Sequence, residues 1–208
     1  MDLLLIRHAE PVRIGEGEVE GPADPQLHGR GLEQAEHLAR WLAEEQIDVV
    51  YASPLKRARQ TAEVLVAGRA LPIEIEEDLA EFDRMASFYI PLEELRANKD
   101  PRMQAWADGD FGDVDADPVQ FRRRVVAGVD RVIGSNPGRT VAAVCHGGVI
   151  NAYLAEVVGI ERLLWFDVDY TGICRVVASR SGVRTIVSLN ETAHLRGTGL
   201  IARHRVTG

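Results

Sequence analysis

The sequence predicts an α/β layered domain built on a largely parallel sheet. Three observations carry that reading. Short apolar runs of strand length alternate with stripes of helical period, and several of those runs stop abruptly at charged residues or glycines. Two helix starts also carry a capping residue followed by proline, at Ser53-Pro54 and Asp117-Pro118. At 208 residues the chain suits a single domain, expected over residues 1–208.

Residues 3–6 are apolar without interruption, which predicts a strand buried on both faces that ends at Arg7 and His8. Leu32, Ala35, Leu38, Ala39 and Leu42 then recur at helical spacing, and residues 48–51 supply a second short strand. Ser53 is a preferred N-cap and Pro54 a preferred first helical residue, so a helix is expected from there, its stripe running through Leu55, Ala58, Ala62 and Leu65. Ile73 and Ile75 flank Glu74 in strand alternation. Asp117-Pro118 opens a further helix with Val125, Val129 and Val132 on its apolar side, and residues 139–145 follow as a buried strand. Residues 172–179 and 183–189, separated by Ser181-Gly182, read as a hairpin at a sheet edge. Between residues 85 and 113 the pattern changes to short helical fragments with Pro91, Pro101 and Trp106. This predicts a small helical lid, inserted at about 84–116, whose Met85, Phe88, Tyr89, Trp106 and Phe111 form an apolar wall that either packs the lid against the core, the preferred reading, or selects a bulky leaving group.

Composition narrows the classes of function. No apolar run approaches the roughly 18 residues of a membrane span, so no membrane role is expected. The net charge of −8 argues against a nucleic-acid surface, which needs a basic patch to displace counterions. The start of the chain shows no basic leader and no small-residue cleavage site, so no export signal is expected. Cys145 and Cys174 lie in β-branched, apolar stretches, as buried reduced thiols would, and a cytoplasmic location fits them better than a disulfide-stapled secreted one.

The chemistry gathers at strand ends. Arg7-His8 leaves the first strand, Arg57 lies near the start of the helix after the second, and His146-Gly147-Gly148 leaves the strand at 139–145. In a parallel sheet these carboxyl ends converge. Burying two arginines and two histidines together without an anion is costly. A phosphate satisfies them, because guanidinium forks match its oxygens and a neutral imidazole can attack phosphorus. Gly147 and Gly148 free the backbone for close approach to a ligand. The helix expected from Pro54 adds a positive pole.

Residues 3–10, Leu-Leu-Leu-Ile-Arg-His-Ala-Glu, resemble the arginine-histidine-glycine signature of the histidine phosphatase, or phosphoglycerate mutase-like, superfamily, with alanine at the glycine position. Residues 53–62, Ser-Pro-Leu-Lys-Arg-Ala-Arg-Gln-Thr-Ala, resemble its second motif and residues 144–148, Val-Cys-His-Gly-Gly, its third. Leu79-Ala80-Glu81 is similar to the segment that supplies the family's acid. The resemblance implies a three-layer sandwich, with a mixed, mostly parallel sheet and helices on both faces. It implies a metal-independent phosphomonoester hydrolase, without cofactor, acting on a small phosphorylated substrate. His8 would be the nucleophile, transiently phosphorylated. Arg7, Arg57 and His146, with Gly147 beside them, would hold the phosphate, and Glu81 would be first acid and then base.

Pro11, Ile14 and His28 depart from the family's pattern of threonine, asparagine and threonine, so Arg13 or His28 either fills the gap or faces solvent. Arg122, Arg123 and Arg124 read as a helical triplet pairing with surface acids. Asn190 and His194 read as capping residues rather than site residues. His8 and Glu10 lack zinc spacing. Two rivals remain at this level: a mutase that returns the phosphoryl group to an organic acceptor, and a non-catalytic phospho-ligand module. The short insertion speaks against the first, the presence of both His8 and Glu81 against the second.

Overall fold

The apolar run at residues 3–6 becomes strand β1 (Asp2–Arg7), and its period-two alternation divides the core. Leu3 and Leu5 pack with Val125, Val129, Val149 and Tyr153, whereas Leu4 and Ile6 pack with Leu38, Ala58, Ala62 and Leu65. The first set lies on helices α5 (Pro118–Ser135) and α6 (Gly147–Val158), the second on α1 (Gly29–Trp41) and α2 (Lys56–Val66). Helices therefore cover both faces of one sheet. Burying one such leucine is worth about 1.5–3 kcal/mol, and truncating it to alanine costs about 2–5 kcal/mol.

The computed structural model describes residues 1–114 and 116–201; residue 115 of the expected insertion and residues 202–208 of the expected domain lie outside the described residues. The other strands are β2 (Val49–Ala52), β3 (Ile73–Ile75), β4 (Thr140–Cys145), β5 (Ile173–Ala178) and β6 (Arg184–Glu191), in the order β3-β2-β4-β1-β5-β6. The pairs among β1 to β4 are parallel. β5 runs antiparallel to β1, and β6 completes the expected edge hairpin, with Gly182 in the left-handed region at its turn (φ 92°). Among the described residues no helix is long and apolar enough to cross a membrane.

Several expectations change. α2 starts at Lys56, not Pro54, with Leu55 in the capping position and no side-chain cap. Ser53 is not its N-cap because it lies two residues before Leu55, whose N–H its hydroxyl accepts while also meeting a histidine described below. The apolar face of α1 is rotated: Leu32 is 45% exposed and Gln34 1%. Gln34 can be buried because its Oε1 accepts from Glu10 N–H and its Nε2 donates to the Leu200 carbonyl. α6 carries no amphipathic signal because it is buried on most sides. Arg122 and Arg124 donate to backbone carbonyls, of Glu161 and of Asp78 and Ala80, rather than to surface carboxylates.

Within residues 84–114 the short helices are α3 (Leu92–Ala97) and α4 (Pro101–Ala107), the latter capped by Asp100. Tyr89 forms a strand-like bridge with Ile14 that no sequence signal announced. Phe82 stacks on Phe111 at 4.5 Å and meets Trp106 edge-on at 5.3 Å, which anchors this segment. Met85, expected in that packing, is 65% exposed.

Candidate active site

Sheet register brings the two histidines abreast. Arg7 is paired with Cys145 across β1 and β4, so the next residues, His8 and His146, leave the sheet side by side. Their ring centroids are 5.0 Å apart. Backbone bonds hold the turn: His8 N–H donates to the Cys145 carbonyl at 2.9 Å, and Ala9 N–H to Thr61 Oγ1 on α2 at 3.0 Å.

His8 Nδ1 lies 2.8 Å from the Ala9 carbonyl, an acceptor only. That nitrogen must carry the proton, which leaves the lone pair on Nε2. Burial pushes the His8 pKa well down, aided by the nearby charges of Arg57 and Arg7, so the ring is neutral at ordinary pH. His146 is shifted the same way, again by burial first and by Arg57, His8 and Arg7 after it. Its Nε2 lies 2.7 Å from Ser53 Oγ, and that hydroxyl accepts from Leu55 N–H. The serine proton is thus available to Nε2, and in the tautomer that accepts it Nδ1 is an N–H donor. This atom is buried and has no hydrogen-bond partner among the described residues.

The two arginines each meet a carboxylate. Arg57 Nη2 pairs with Asp83 at 3.2 Å, and Arg7 Nη1 with Glu93 on α3 at 2.8 Å and with the Val168 carbonyl. The like charges expected to stand uncompensated are therefore balanced by acids that the sequence reading did not single out. The ring of Tyr170 lies 4.0 Å from the Arg7 guanidinium and that of Tyr89 4.6 Å from Arg57. Burial alone lowers the Arg7 pKa, but Glu93 and the tyrosines outweigh it, and Glu93 itself is held below the usual carboxylate range by Arg7 against its own burial.

Glu81 reaches the same place from the turn after residues 77–79. Oε2 accepts the Gly148 N–H at 2.8 Å and Oε1 that of Phe82 at 3.1 Å. Burial, then Asp83, pushes its pKa up to about 7, against the pull of those N–H groups and Arg57. The glycine that permits this contact is Gly148, where an added Cβ would sit 2.3 Å from Glu81 Oε1. At Gly147 the nearest atom would be 3.8 Å away, so steric need falls on the second glycine only. A helical positive pole at the site is that of α6, which begins at Gly147 in the cavity wall.

Arg7, His8, Arg57, Glu81 and Gly147 line one cavity of about 30 Å³, with Tyr89, Leu92 and Trp106 opposite them. His146 does not line this cavity and is fully buried beside His8. Among the described residues no group of three His, Cys, Asp or Glu is placed to hold a metal ion.

The family model of the histidine phosphatase superfamily (branch 1) matches residues 3–192. The chain belongs to that superfamily. It is 28% identical over 204 residues to phosphoserine phosphatase 1 of Hydrogenobacter thermophilus, covering 93% of each chain. It is 28% identical over 180 residues to the adenosylcobalamin/alpha-ribazole phosphatase of Escherichia coli, covering 81% of this chain and 86% of that one. Among solved structures, the alpha-ribazole phosphatase of Shigella flexneri superposes with a TM-score of 0.68 at 26% identity, over 92% of this chain and 96% of that one. A phosphoserine phosphatase of Entamoeba histolytica in complex with 3-phosphoglyceric acid shares the fold, with a TM-score of 0.70 at 24% identity, over 93% and 98% of the two chains. The fold expected from the motifs, and the phosphatase class, follow from these likenesses.

For this histidine phosphatase, sequence reasoning missed Asp83, Glu93, Tyr170 and the role of Ser53. Asp83 had a signal, standing two residues after Glu81. Tyr170 had none, since it reaches His8 (5.7 Å between ring centroids) from a loop after α6. Arg13 faces solvent and pairs with Glu94, while His28 caps α1 by accepting from Arg30 N–H; neither joins the cavity. Asn190 and His194 cap no helix. Asn190 bonds Asp169, and His194 bonds the Thr171 hydroxyl, bracing the loop that carries Tyr170.

Proposed function

We propose that the chain hydrolyses phosphomonoesters through a phosphohistidine on His8. The observation that carries this reading is the His8 Nδ1 bond to the Ala9 carbonyl, which leaves the Nε2 lone pair of a neutral imidazole beside two guanidinium groups. Nε2 attacks phosphorus in line. Arg7, Arg57 and the unpartnered Nδ1–H of His146 bind the non-bridging oxygens, where negative charge spreads in the transition state, and the Gly147 N–H at the start of α6 adds a donor. Asp83 and Glu93 act as counter-charges to the arginines until the phosphate arrives.

Glu81, with a pKa of about 7, holds a proton for the leaving oxygen and then receives one from the attacking water. Transfer to water rather than to an organic acceptor fits the phosphatase names of the relatives above, whose phosphoserine and alpha-ribazole phosphate esters are the natural first compounds to try. Residues 84–116 serve as the lid. A cavity of about 30 Å³ has room for little more than water, so Tyr89, Leu92 and Trp106 must shift to admit an ester.

Trapping tests the scheme. With an aryl phosphate, whose leaving group needs little protonation, Glu81→Gln gives a burst followed by slow turnover, and an acid-labile, alkali-stable phosphoenzyme accumulates. With an alkyl phosphate the first step itself slows by about 100-fold to 10,000-fold. Parent-like turnover of both esters assigns the proton to another group. Activity is also expected to survive exhaustive chelation; dependence on an added divalent metal contradicts the scheme.

A further inference from the structure

Arg7, Leu92 and Gly147 line the catalytic cavity and also a second, larger one of about 260 Å³. Its far wall is Leu164, Trp165 and Phe166. That wall is built firmly against α6: Asn151 Oδ1 accepts the N–H groups of Trp165 and Phe166, and Nδ2 donates to the carbonyls of Gly147 and Phe166. Glu81 is bonded to Gly148, so the donor of the leaving-group proton and the passage at Gly147 share the start of α6.

Glu93 lines the second cavity and not the first. Its Oε1 is bound to Arg7, while Oε2 is buried without a hydrogen bond of ordinary length, the Tyr170 hydroxyl being the neighbouring donor that helps hold the carboxylate ionised. Two carboxylates line this cavity: Asp167, half-exposed and paired with Arg96 at 2.5 Å, and Glu93, the more buried of the two. A phosphate dianion arriving at Arg7 brings a second negative charge onto the same guanidinium. A buried carboxylate that loses part of its counter-charge is costly. A cation on the substrate removes that cost.

We propose that the second cavity receives the leaving group and that Glu93 selects leaving groups bearing an ammonium close to the ester oxygen, as in O-phospho amino alcohols and amino acids. This rests on the phosphatase reading above. The cavity's size, near the lower end of the roughly 300–1,000 Å³ of small-molecule sites, excludes nucleotide or peptide leaving groups of full length.

The test compares O-phosphoethanolamine with n-propyl phosphate, which replaces the ammonium by a methyl group of similar size, and with an aryl phosphate. The parent favours the ammonium ester over the propyl ester by about tenfold or more in kcat/KM, the worth of one charged hydrogen bond. In Glu93→Gln that ratio falls toward one, chiefly through KM for the amine. Glu94→Gln, whose carboxylate pairs with exposed Arg13, keeps the parent ratio. Equal use of the two alkyl esters by the parent, or an unchanged ratio in Glu93→Gln, overturns the inference while aryl phosphate hydrolysis still supports the phosphatase reading. No hydrolysis of any of the three esters overturns both.

Discussion

His8 and His146 are held by the ladder of β1 and β4 and by a core on each side of the sheet, whereas from residues 84–114 Tyr89 and Trp106 reach the cavity beside His8 and Glu93 reaches the adjoining one. The second region is joined to the first by a line of ion pairs: Arg7–Glu93, Arg13–Glu94, Arg96–Asp167 and Arg102–Glu16. The outer three are partly or largely exposed, and such pairs are worth about 0.2–1 kcal/mol each. Moving a buried strand would cost many times more. The groups assigned to the chemistry are thus fixed by backbone, whereas the segment at 84–114 is anchored at its base by Phe82, Trp106 and Phe111 and fastened at its edge by ion pairs cheap to break.

The largest expected effect lies on the rigid side. His8→Ala removes hydrolysis of an aryl phosphate by about 10,000-fold or more, while Cys145→Ala, two residues from Gly147 and wholly buried, leaves kcat nearly intact. Burial pushes that thiol's pKa far up, and its side chain faces the core. Similar losses in the two variants would remove the distinction between site and support.

Glu81 provides a test of how much strain the rigid side stores. Its folded pKa of about 7 stands above the ordinary 4.5, from burial and Asp83, with Arg57 opposing. The folded state therefore binds the extra proton between those values, and its stability falls as pH rises through that window. Relative to the parent, Glu81→Gln is expected to gain on the order of 3 kcal/mol between pH 4 and pH 8, on top of a pH-independent loss because its NH2 group must face one of the two backbone N–H groups that the carboxylate accepts. Urea melts across pH measure it; a gap constant with pH would assign the buried carboxyl no such cost.

The smallest effect lies on the covering segment. Arg102→Ala breaks the pairs to Glu16 and Asp100 and is expected to change global stability by less than about 1 kcal/mol. Amide exchange at residues 92–107 should quicken severalfold while β1 and β4 stay protected. Uniform acceleration would mean that the two regions open as one.

The same division governs how much could be read from sequence. Parallel strands ending in Arg7-His8 and His146 were legible because a buried strand leaves an unbroken apolar run, and their meeting follows from sheet geometry. Ser53 misled because its hydroxyl has two uses, capping a helix or meeting a histidine, and only the neighbouring strand decides between them. α6 was invisible for a related reason: burial on most sides erases the helical period. Glu93 and Tyr170 could not be found, since their partner Arg7 lies far off in the chain and no local pattern records the contact.

The place of β1 in the sheet has a consequence for how the chain comes to be folded at all. It precedes the other described strands in the chain, yet its neighbours are β4 and β5, and the Ala178 N–H donates to the carbonyl of Met1, 177 residues away. Residues 3–6 have no native partner until most of the chain has left the ribosome, and closing so long a loop is slow. Through that interval the most apolar stretch of the amino terminus is an unpaired strand open to other chains, so any truncation short of β5 leaves the nucleophile's own strand as a sticky edge.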